Sequence, residues 1–206
     1  MVKLYGKTFT KRELLKYVGD ISQIGGIRKI ELADGNEKNV AAIEITTGTG
    51  FSFTVLPDRG MDISQATYCG KSLCWRSPTG DTHPAYYDPR GIEWLRSFYG
   101  GLLTTCGMTY AGAPSIDNGE ELGLHGRISN IPAREVSVQS FWEKDDFIMT
   151  VSGKLRETRV FGENLSLIRT ITAKLGENKL FIHDEIENLG FADTPLMILY
   201  HINGGY

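Results

Sequence analysis

The 206-residue sequence has few cysteines, few prolines and no long apolar run, and each shortage excludes a class of protein. No apolar stretch approaches the roughly 20 residues that a membrane-spanning helix needs. The N-terminal residues 1–6 lack the apolar core of a secretory signal peptide. Cys69, Cys74 and Cys106 follow neither a disulfide framework nor a metal-binding spacing. We therefore expect a cytoplasmic protein with free thiols and no membrane association.

The charge and the glycine content narrow the class of protein further. A formal net charge of -3 argues against a dedicated nucleic-acid surface. The sequence has 24 glycines against 7 prolines, which favours the many tight turns of an all-β protein. A hydrophobic content of 41% is sufficient for a sizeable core.

A short leader precedes the β pattern. Thr10 and Glu13 have the spacing of a capping box, in which each side chain satisfies the other's backbone amide. The apolar residues that follow predict a helix over residues 11–17, packed on the outside of the protein. We expect residues 1–26 to form this leader and to carry no chemistry.

From residue 26 the apolar residues recur with a period of two, which indicates strands. No helical segment separates the strands, so they are expected to pair as antiparallel meanders in a large twisted β-sandwich. A helical turn is predicted over residues 91–98. The predicted strands cover residues 27–32, 40–46, 51–56, 101–108, 134–142, 146–156, 164–175, 179–188 and 194–203.

Two histidines lie in unusual surroundings. Gly123-Leu124-His125-Gly126-Arg127 places a histidine between two glycines after a polar turn, which suggests that the backbone there approaches another group closely. His201 ends an apolar run and is followed by Asn203 and two glycines. The alternative is a surface turn with an idle histidine. If both histidines are functional, they are expected to face one pocket.

Arg59 and an aromatic-rich stretch are further candidates for ligand binding, and each has two interpretations. Arg59 lies in a charged bend after Pro57 and could either pair with an aspartate in a solvated turn or hold a polar ligand at the rim of the pocket. His83 and His183 are expected on the surface. An aromatic-rich irregular stretch could stack on a sugar ring or simply cover the edge of the sandwich. The stacking candidates in this stretch are Tyr86, Tyr87, Trp94, Phe98 and Tyr110.

Four motifs follow one another along the chain: Pro57-Asp58-Arg59-Gly60-Met61-Asp62, Gly123-Leu124-His125-Gly126-Arg127, Glu185-Ile186-Glu187-Asn188-Leu189-Gly190 and Leu199-Tyr200-His201-Ile202-Asn203-Gly204. In this order they resemble aldose 1-epimerase-related proteins of the galactose mutarotase-like superfamily, in an uncharacterised branch. The resemblance runs from about residue 27 to the end. It implies an antiparallel β-sandwich whose concave face binds a carbohydrate, and the cofactor-free interconversion of the anomers of a free or phosphorylated aldose.

The resemblance also implies roles for individual residues. His201 matches the general acid, and His125 matches the second catalytic histidine. Arg59, Arg127 and Asn203 are the substrate-binding candidates, although neither arginine aligns cleanly with the family's substrate-binding arginine. The four histidines show no metal-ligand spacing, so we expect neither a metal nor another cofactor.

One expected residue is missing. The family's general base is a glutamate on a later strand, and no glutamate in residues 1–206 matches it. We therefore expect residues 27–206 to be the N-terminal part of a longer domain. If they are instead the whole domain, the edge strands are exposed and a partner, such as a second copy in a homo-oligomer, is expected to cover them. The alternatives to an isomerase are a non-catalytic carbohydrate-binding domain and a structural β-domain without a ligand.

Overall fold

The computed structural model describes residues 1–205, and most of its regular structure is β. In chain order the strands are β1 Val2–Leu4, β2 Lys7–Phe9, β3 Gly26–Glu31, β4 Ala41–Thr46, β5 Phe51–Leu56, β6 Asp62–Tyr68, β7 Lys71–Ser72, β8 Thr104–Cys106, β9 Ser115–Asp117, β10 Glu120–Leu122, β11 Arg134–Glu143, β12 Asp146–Thr158, β13 Asn164–Lys174, β14 Leu180–Asn188 and β15 Leu199–His201.

Two antiparallel sheets form the body of the protein. One contains β3 to β7 and the other contains β11 to β14, each in sequence order. A single hydrophobic cluster joins Ile45, Phe53 and Val55 of the first sheet to Val151 and Leu167 of the second. Each sheet therefore buries one face against the other. This arrangement confirms the predicted all-β antiparallel sandwich.

Side-chain burial follows the alternation that the sequence predicts. Along β12, fully buried residues such as Met149 and Val151 alternate with half-buried ones. On β14, Leu180, Ile182 and Ile186 pack against the core. The His183 side chain is 73% exposed, as expected for the opposite face of the strand.

The α-helix, α1 Lys11–Leu14, begins with the predicted capping box between Thr10 and Glu13. It ends before residue 17 because the amides of Lys16 and Tyr17 bond three residues back, in the tighter 3-10 pattern. Within residues 1–205, no helix is both long and apolar enough to cross a bilayer. The 3-10 turns are Ile21–Gln23, Gly35–Glu37, Pro84–Tyr86, Glu93–Ser97 and Ile128–Asn130.

The N-terminal segment has more structure than the sequence predicts. Strands β1 and β2 form a hairpin, and Val2, Leu4 and Leu14 enter the same core as the main sheets. Strands of three residues are too short to show a period, which explains why they were missed. The division into residues 1–26 and 27–206 stays a prediction.

Strand lengths differ from the prediction near the middle and end of the chain. The strand predicted over residues 101–108 contains only Thr104–Cys106, and the one predicted over 194–203 contains only Leu199–His201. Strands β8 and β15 pair with each other. Gly101 and Gly107 flank β8 with φ of +80° and +129°, which takes the backbone out of the strand conformation. Strand β6 was missed because its charged and glycine-containing start looked like a bend.

A buried ion network joins the two main sheets. Arg169 on β13 donates to Asp62 on β6 at 2.7 Å and to both carboxylate oxygens of Asp184 on β14, at 2.9 and 2.7 Å. Tyr200 on β15 donates to Asp184 at 2.8 Å. The backbone N–H and hydroxyl of Thr105 on β8 donate to Asp62 at 2.8 and 2.6 Å. Five strands are therefore attached to one another through polar side chains.

Arg169 keeps its charge although it and Asp62 are fully buried, and burial raises the pKa of Asp62 above its ordinary value. Burial lowers the pKa of Arg169, but the hydrogen bonds and charges of Asp184 and Asp62 outweigh this effect and raise the pKa above its ordinary value. Burial and the hydrogen bond to Asp184 raise the pKa of Tyr200 to about 12. At neutral pH the guanidinium is therefore charged and the phenol is a hydrogen-bond donor.

The substitution Arg169→Met should lower the free energy of unfolding by about 3–5 kcal/mol, because it leaves two carboxylates buried without their counter-ion. Urea denaturation followed by circular dichroism would measure the change. The control is Arg28→Met, which removes an ion pair with Glu44 from a side chain that is 74% exposed. This control should cost less than about 1 kcal/mol. Equal losses in the two variants would contradict the role assigned to Arg169.

Candidate functional site

His125 lies on a loop whose backbone is packed tightly against other backbone segments. A Cβ on Gly123 would lie 1.9 Å from the carbonyl oxygen of Pro89, and one on Gly126 would lie 2.4 Å from that of Gly107. His125 itself has a φ of 59°. The close approach predicted from the two glycines is therefore present, and other backbone segments fill the space.

Further bonds fix the orientation of this loop. The N–H of His125 donates to the carbonyl of Gly112 at 2.9 Å, and its carbonyl accepts from Gly107 at 3.0 Å. The hydroxyl of Tyr87 donates to the carbonyl of Gly126 at 3.0 Å. Burial is the main reason why the pKa of Tyr87 lies above its ordinary value, so the phenol remains a donor at neutral pH. Tyr87 thus supports the His125 loop.

His201 is placed by β15. It pairs in register with Thr104 on β8, and the neighbouring Tyr200 pairs with Thr105. Both Tyr200 and Thr105 belong to the buried ion network. The Asn203 side-chain nitrogen donates to the carbonyls of Gly100 at 3.2 Å and His201 at 3.1 Å, so it holds the end of the strand.

The structure brings the two histidines together in a cluster of five aromatic and imidazole rings. The centroids of the His125 and His201 rings lie 5.8 Å apart, with the rings nearly perpendicular. Trp94 contacts His125 at 5.0 Å and Phe98 contacts His201 at 5.6 Å, measured between centroids. Phe98 also stacks on Trp94 and contacts Trp75. We call these five residues the ring cluster.

The members of the ring cluster differ in exposure. Trp94 is buried and donates its indole N–H to Ser129 at 3.1 Å. Both histidines and Phe98 are half-buried, and Trp75 is 48% exposed. The cluster therefore has a buried base and an accessible edge. Trp94 and Phe98 were among the stacking candidates, whereas Trp75 was missed because it stands alone in the sequence.

The electrostatic state of the two imidazoles follows from their surroundings. Burial and the positive charge of His201 both lower the pKa of His125. The Nδ1 atom of His125 accepts from the N–H of Gly112 at 3.3 Å, so the neutral ring carries its proton on Nε2. The Nδ1 atom of His201 is buried and has no hydrogen-bond partner within residues 1–205. A buried polar atom without a partner is a marker of a functional site.

The substrate-binding role and rim position predicted for Arg59 are wrong. The residue is 1% exposed, and its guanidinium donates to three backbone carbonyls. These belong to Ser129 at 2.8 Å, Thr82 at 2.5 Å and Ser97 at 2.8 Å. Both Ser97 and Ser129 lie beside residues of the ring cluster or in contact with them. Arg59 therefore holds the loops that form the cluster and does not face a ligand.

Arg127 and Asn203 remain substrate-binding candidates, although their contacts differ. Arg127 is exposed and lines a cavity of about 390 Å³ whose lining includes no member of the ring cluster. Burial lowers the pKa of Arg127. Its hydrogen bond to Tyr110 and the nearby charges have a larger, opposite effect, so the pKa of Arg127 lies above its ordinary value. Asn203 is bonded to the backbone of His201 and lies beside the ring cluster.

Other reactive residues take no part in this site. Cys69, Cys74 and Cys106 are free thiols. Burial, followed by the negative charge of Asp62, raises the pKa of the Cys106 thiol to about 12, which leaves it protonated and unreactive at neutral pH. His83 is half-buried and caps a 3-10 turn through Nδ1, so it is less exposed than expected. The described residues contain no group of three or more His, Cys, Asp or Glu that could hold a metal ion.

Comparisons with known proteins support the fold. The structure is similar to the crystal structure of a candidate aldose 1-epimerase from Klebsiella pneumoniae subsp. pneumoniae MGH 78578, with a TM-score of 0.80 and 24% identity over 87% of this chain and 47% of that protein. A galactose 1-epimerase from Lactobacillus acidophilus NCFM matches with a TM-score of 0.49 and 16% identity, over 80% of this chain and 49% of that protein. The chain spans about half the length of both proteins.

The sequence comparisons give a family match. A family model described as a domain of unknown function (DUF4432) matches residues 37–206. The comparison with curated proteins gives no match. The family match and the similarity to the Klebsiella structure confirm the resemblance inferred from the four motifs, at the level of the fold.

The pKa of the His125 ring should lie below 6.5 and should rise in the variant His201→Gln, because the substitution removes the charge that repels the protonated His125. Proton NMR titration of the imidazole signals would measure it. Since the unfolded chain then binds more protons than the folded one, His125 should make the free energy of unfolding decrease as the pH falls below about 6.5.

The exposed His183 supplies the control for this titration. His183→Gln should leave the His125 titration unchanged, because His183 lies on the exposed face of β14. If His201→Gln also leaves it unchanged, the two rings of the ring cluster are not electrostatically coupled.

Proposed function

The chain belongs to the family described as a domain of unknown function (DUF4432). From the ring cluster and the similarity of its fold to a candidate aldose 1-epimerase, we propose that it binds an aldose in the manner of an aldose 1-epimerase. The observation that carries the proposal is the contact between His125 and His201, two imidazoles brought from distant segments to one accessible edge. The ligand is a free or phosphorylated aldose whose ring oxygen and C1 hydroxyl lie near the two histidines.

Interconversion of anomers requires two proton transfers. The ring oxygen gains a proton while the C1 hydroxyl loses one, the ring opens, and it closes again with the opposite configuration at C1. His201 is the proposed acid toward the ring oxygen. An imidazole is suited to this role because its ordinary pKa lies close to neutral pH.

The two histidines have different roles in this proposal. Mutual repulsion disfavours two positive charges so close together, and the lowered pKa of His125 assigns the neutral state to that ring. Neutral His125 then donates Nε2–H to a sugar hydroxyl, since its Nδ1 is occupied by Gly112. His201 can carry the proton that is transferred through Nε2, because its Nδ1 is buried.

The aromatic members of the ring cluster suit the apolar face of a sugar. A pyranose presents C–H groups on one face, and aromatic side chains are the usual partners of such surfaces in binding sites. Trp75 is the most exposed ring of the cluster, and its contact with Phe98 connects it to His201. Trp75 is therefore the proposed stacking platform.

The base for the C1 hydroxyl is not among the groups beside the histidines. Within residues 1–205, no carboxylate lies within ion-pair distance of His125 or His201. This observation favours the second candidate function, binding of a sugar without catalysis by this stretch of chain. The three free thiols support the proposed cytoplasmic location, where cysteines remain reduced.

Binding of D-glucose or D-galactose should change the tryptophan fluorescence and raise the melting temperature, because a ligand that binds only the folded state stabilises it. His201→Ala should weaken the affinity by roughly tenfold or more through the loss of a hydrogen bond to the ligand. His183→Ala is the matched control and should bind normally. If no free or phosphorylated aldose produces either signal, the chain is a structural β-domain instead.

Anomer exchange by residues 1–206 should remain close to the rate in solution. An acid without a base leaves the C1 proton with no acceptor, and each such group typically contributes roughly a hundredfold to ten-thousandfold. Magnetisation transfer between the two anomeric proton signals would measure the rate. Fast exchange that disappears in His201→Ala and persists in His183→Ala would contradict this expectation and show that a base lies within these residues.

A further inference from the structure

A second cavity lies apart from the ring cluster. It has a volume of about 950 Å³ and is lined by the loop that joins β12 to β13 and by residues that follow β14. Three arginines, Arg134, Arg156 and Arg159, contribute to its lining, and none of the ring-cluster residues does. We call it the arginine cavity.

Nearby carboxylates balance the charges of the three arginines to different extents. Arg159 forms ion pairs with Glu120 at 2.7 Å and with Glu163 at 3.1 Å. Arg134 and Arg156, by contrast, have no carboxylate within ion-pair distance in the part of the chain that the structure describes. The cavity therefore holds two guanidinium groups whose charges are not neutralised by the protein.

Arg156 is also held in place with an unused donor. Its Nη2 donates to Oδ1 of Asn164 at 2.6 Å, which fixes the plane of the guanidinium. Its Nε is buried and has no hydrogen-bond partner within residues 1–205. A buried donor without an acceptor is costly. Because Nε is out of reach of solvent, the terminal nitrogens of Arg156 are the donors that a ligand in the cavity would contact.

The strand register places the two uncompensated arginines close together. Arg134 on β11 pairs with Lys154 on β12, and Arg156 follows two positions along the same face. Diagonal neighbours of this kind have Cα atoms about 7–8 Å apart, which is within reach of two long side chains converging on one group. The planar fork of arginine matches the oxygens of a phosphate or carboxylate.

Two aromatic side chains complete the cavity. Phe161 and Phe191 both line the cavity and are fully exposed, at 106% and 111%. Exposed phenylalanines beside a cationic pocket offer apolar surface to the organic part of a ligand. An inorganic ion would leave these two rings in water.

We propose that the arginine cavity is a binding site for a phosphorylated small molecule, with the phosphate between Arg134 and Arg156 and the organic ring against Phe161 and Phe191. A phosphate monoester carries nearly two negative charges at neutral pH, which matches the two uncompensated guanidiniums. The site is independent of the sugar chemistry proposed for the ring cluster.

Isothermal titration calorimetry with phenyl phosphate tests the proposal, because this probe has a ring and a phosphate but no sugar hydroxyls for the ring cluster. Phenyl phosphate should bind more tightly than inorganic phosphate, which lacks the ring, and more tightly than benzoate, which carries one charge. Phe161→Ser should weaken the binding of phenyl phosphate but not that of inorganic phosphate.

Three arginine variants locate the binding. Arg156→Gln and Arg134→Gln should each weaken the affinity for phenyl phosphate by roughly tenfold or more, which is the effect of losing a hydrogen bond to a charged group. Arg134 is exposed. Arg28→Gln removes a charge from an exposed surface position and should bind normally. Melting temperatures would verify that all three variants are folded. The proposal is overturned if phenyl phosphate does not bind, if benzoate binds as tightly, or if both cavity variants bind like the control.

Discussion

Arg169 is fully buried, and a buried guanidinium is tolerated only where anions and carbonyls surround it. Asp62 and Asp184 supply the anions, and the carbonyl of Gly60 accepts a further bond at 3.2 Å. Each carboxylate in turn accepts from a residue on the small β8–β15 sheet, Thr105 or Tyr200. The requirement to satisfy one charge therefore determines where β15, and with it His201, lies on the sandwich.

Arg59 performs the corresponding task for the other half of the ring cluster. Its guanidinium also contacts the face of Tyr99 at 5.0 Å, so an aromatic ring adds to its three carbonyl acceptors. One of its acceptors precedes Phe98, and another, Ser129, receives the indole N–H of Trp94. The two buried arginines thus position the histidine and the aromatic sides of one site from within the core.

The sequence allowed the fold class and the pair of histidines to be predicted, because period-two patterning and short motifs are local signals. It did not reveal that Arg59 is buried, since a charged bend in solvent and one that folds into the core have the same residues. Trp75 was missed for a related reason: it contributes to the site through a contact with Phe98, which depends on tertiary structure. The arginine cavity depends on the register between Arg134 and Lys154, and register is not visible in either strand alone.

The placement of His201 also has a consequence for folding order. Strands β11 to β14 pair with neighbours in sequence, so their meander closes short loops, whereas Asn203 reaches Gly100 across 103 positions. Closing a longer loop costs more chain entropy, and such contacts slow folding. A newly made chain would therefore have its long hairpins before it has both histidines side by side. Contact between the two imidazoles therefore reports that the segments around residues 125 and 201 have come together, and separation of the short β15 from β8 would part them while the main sheets stay folded.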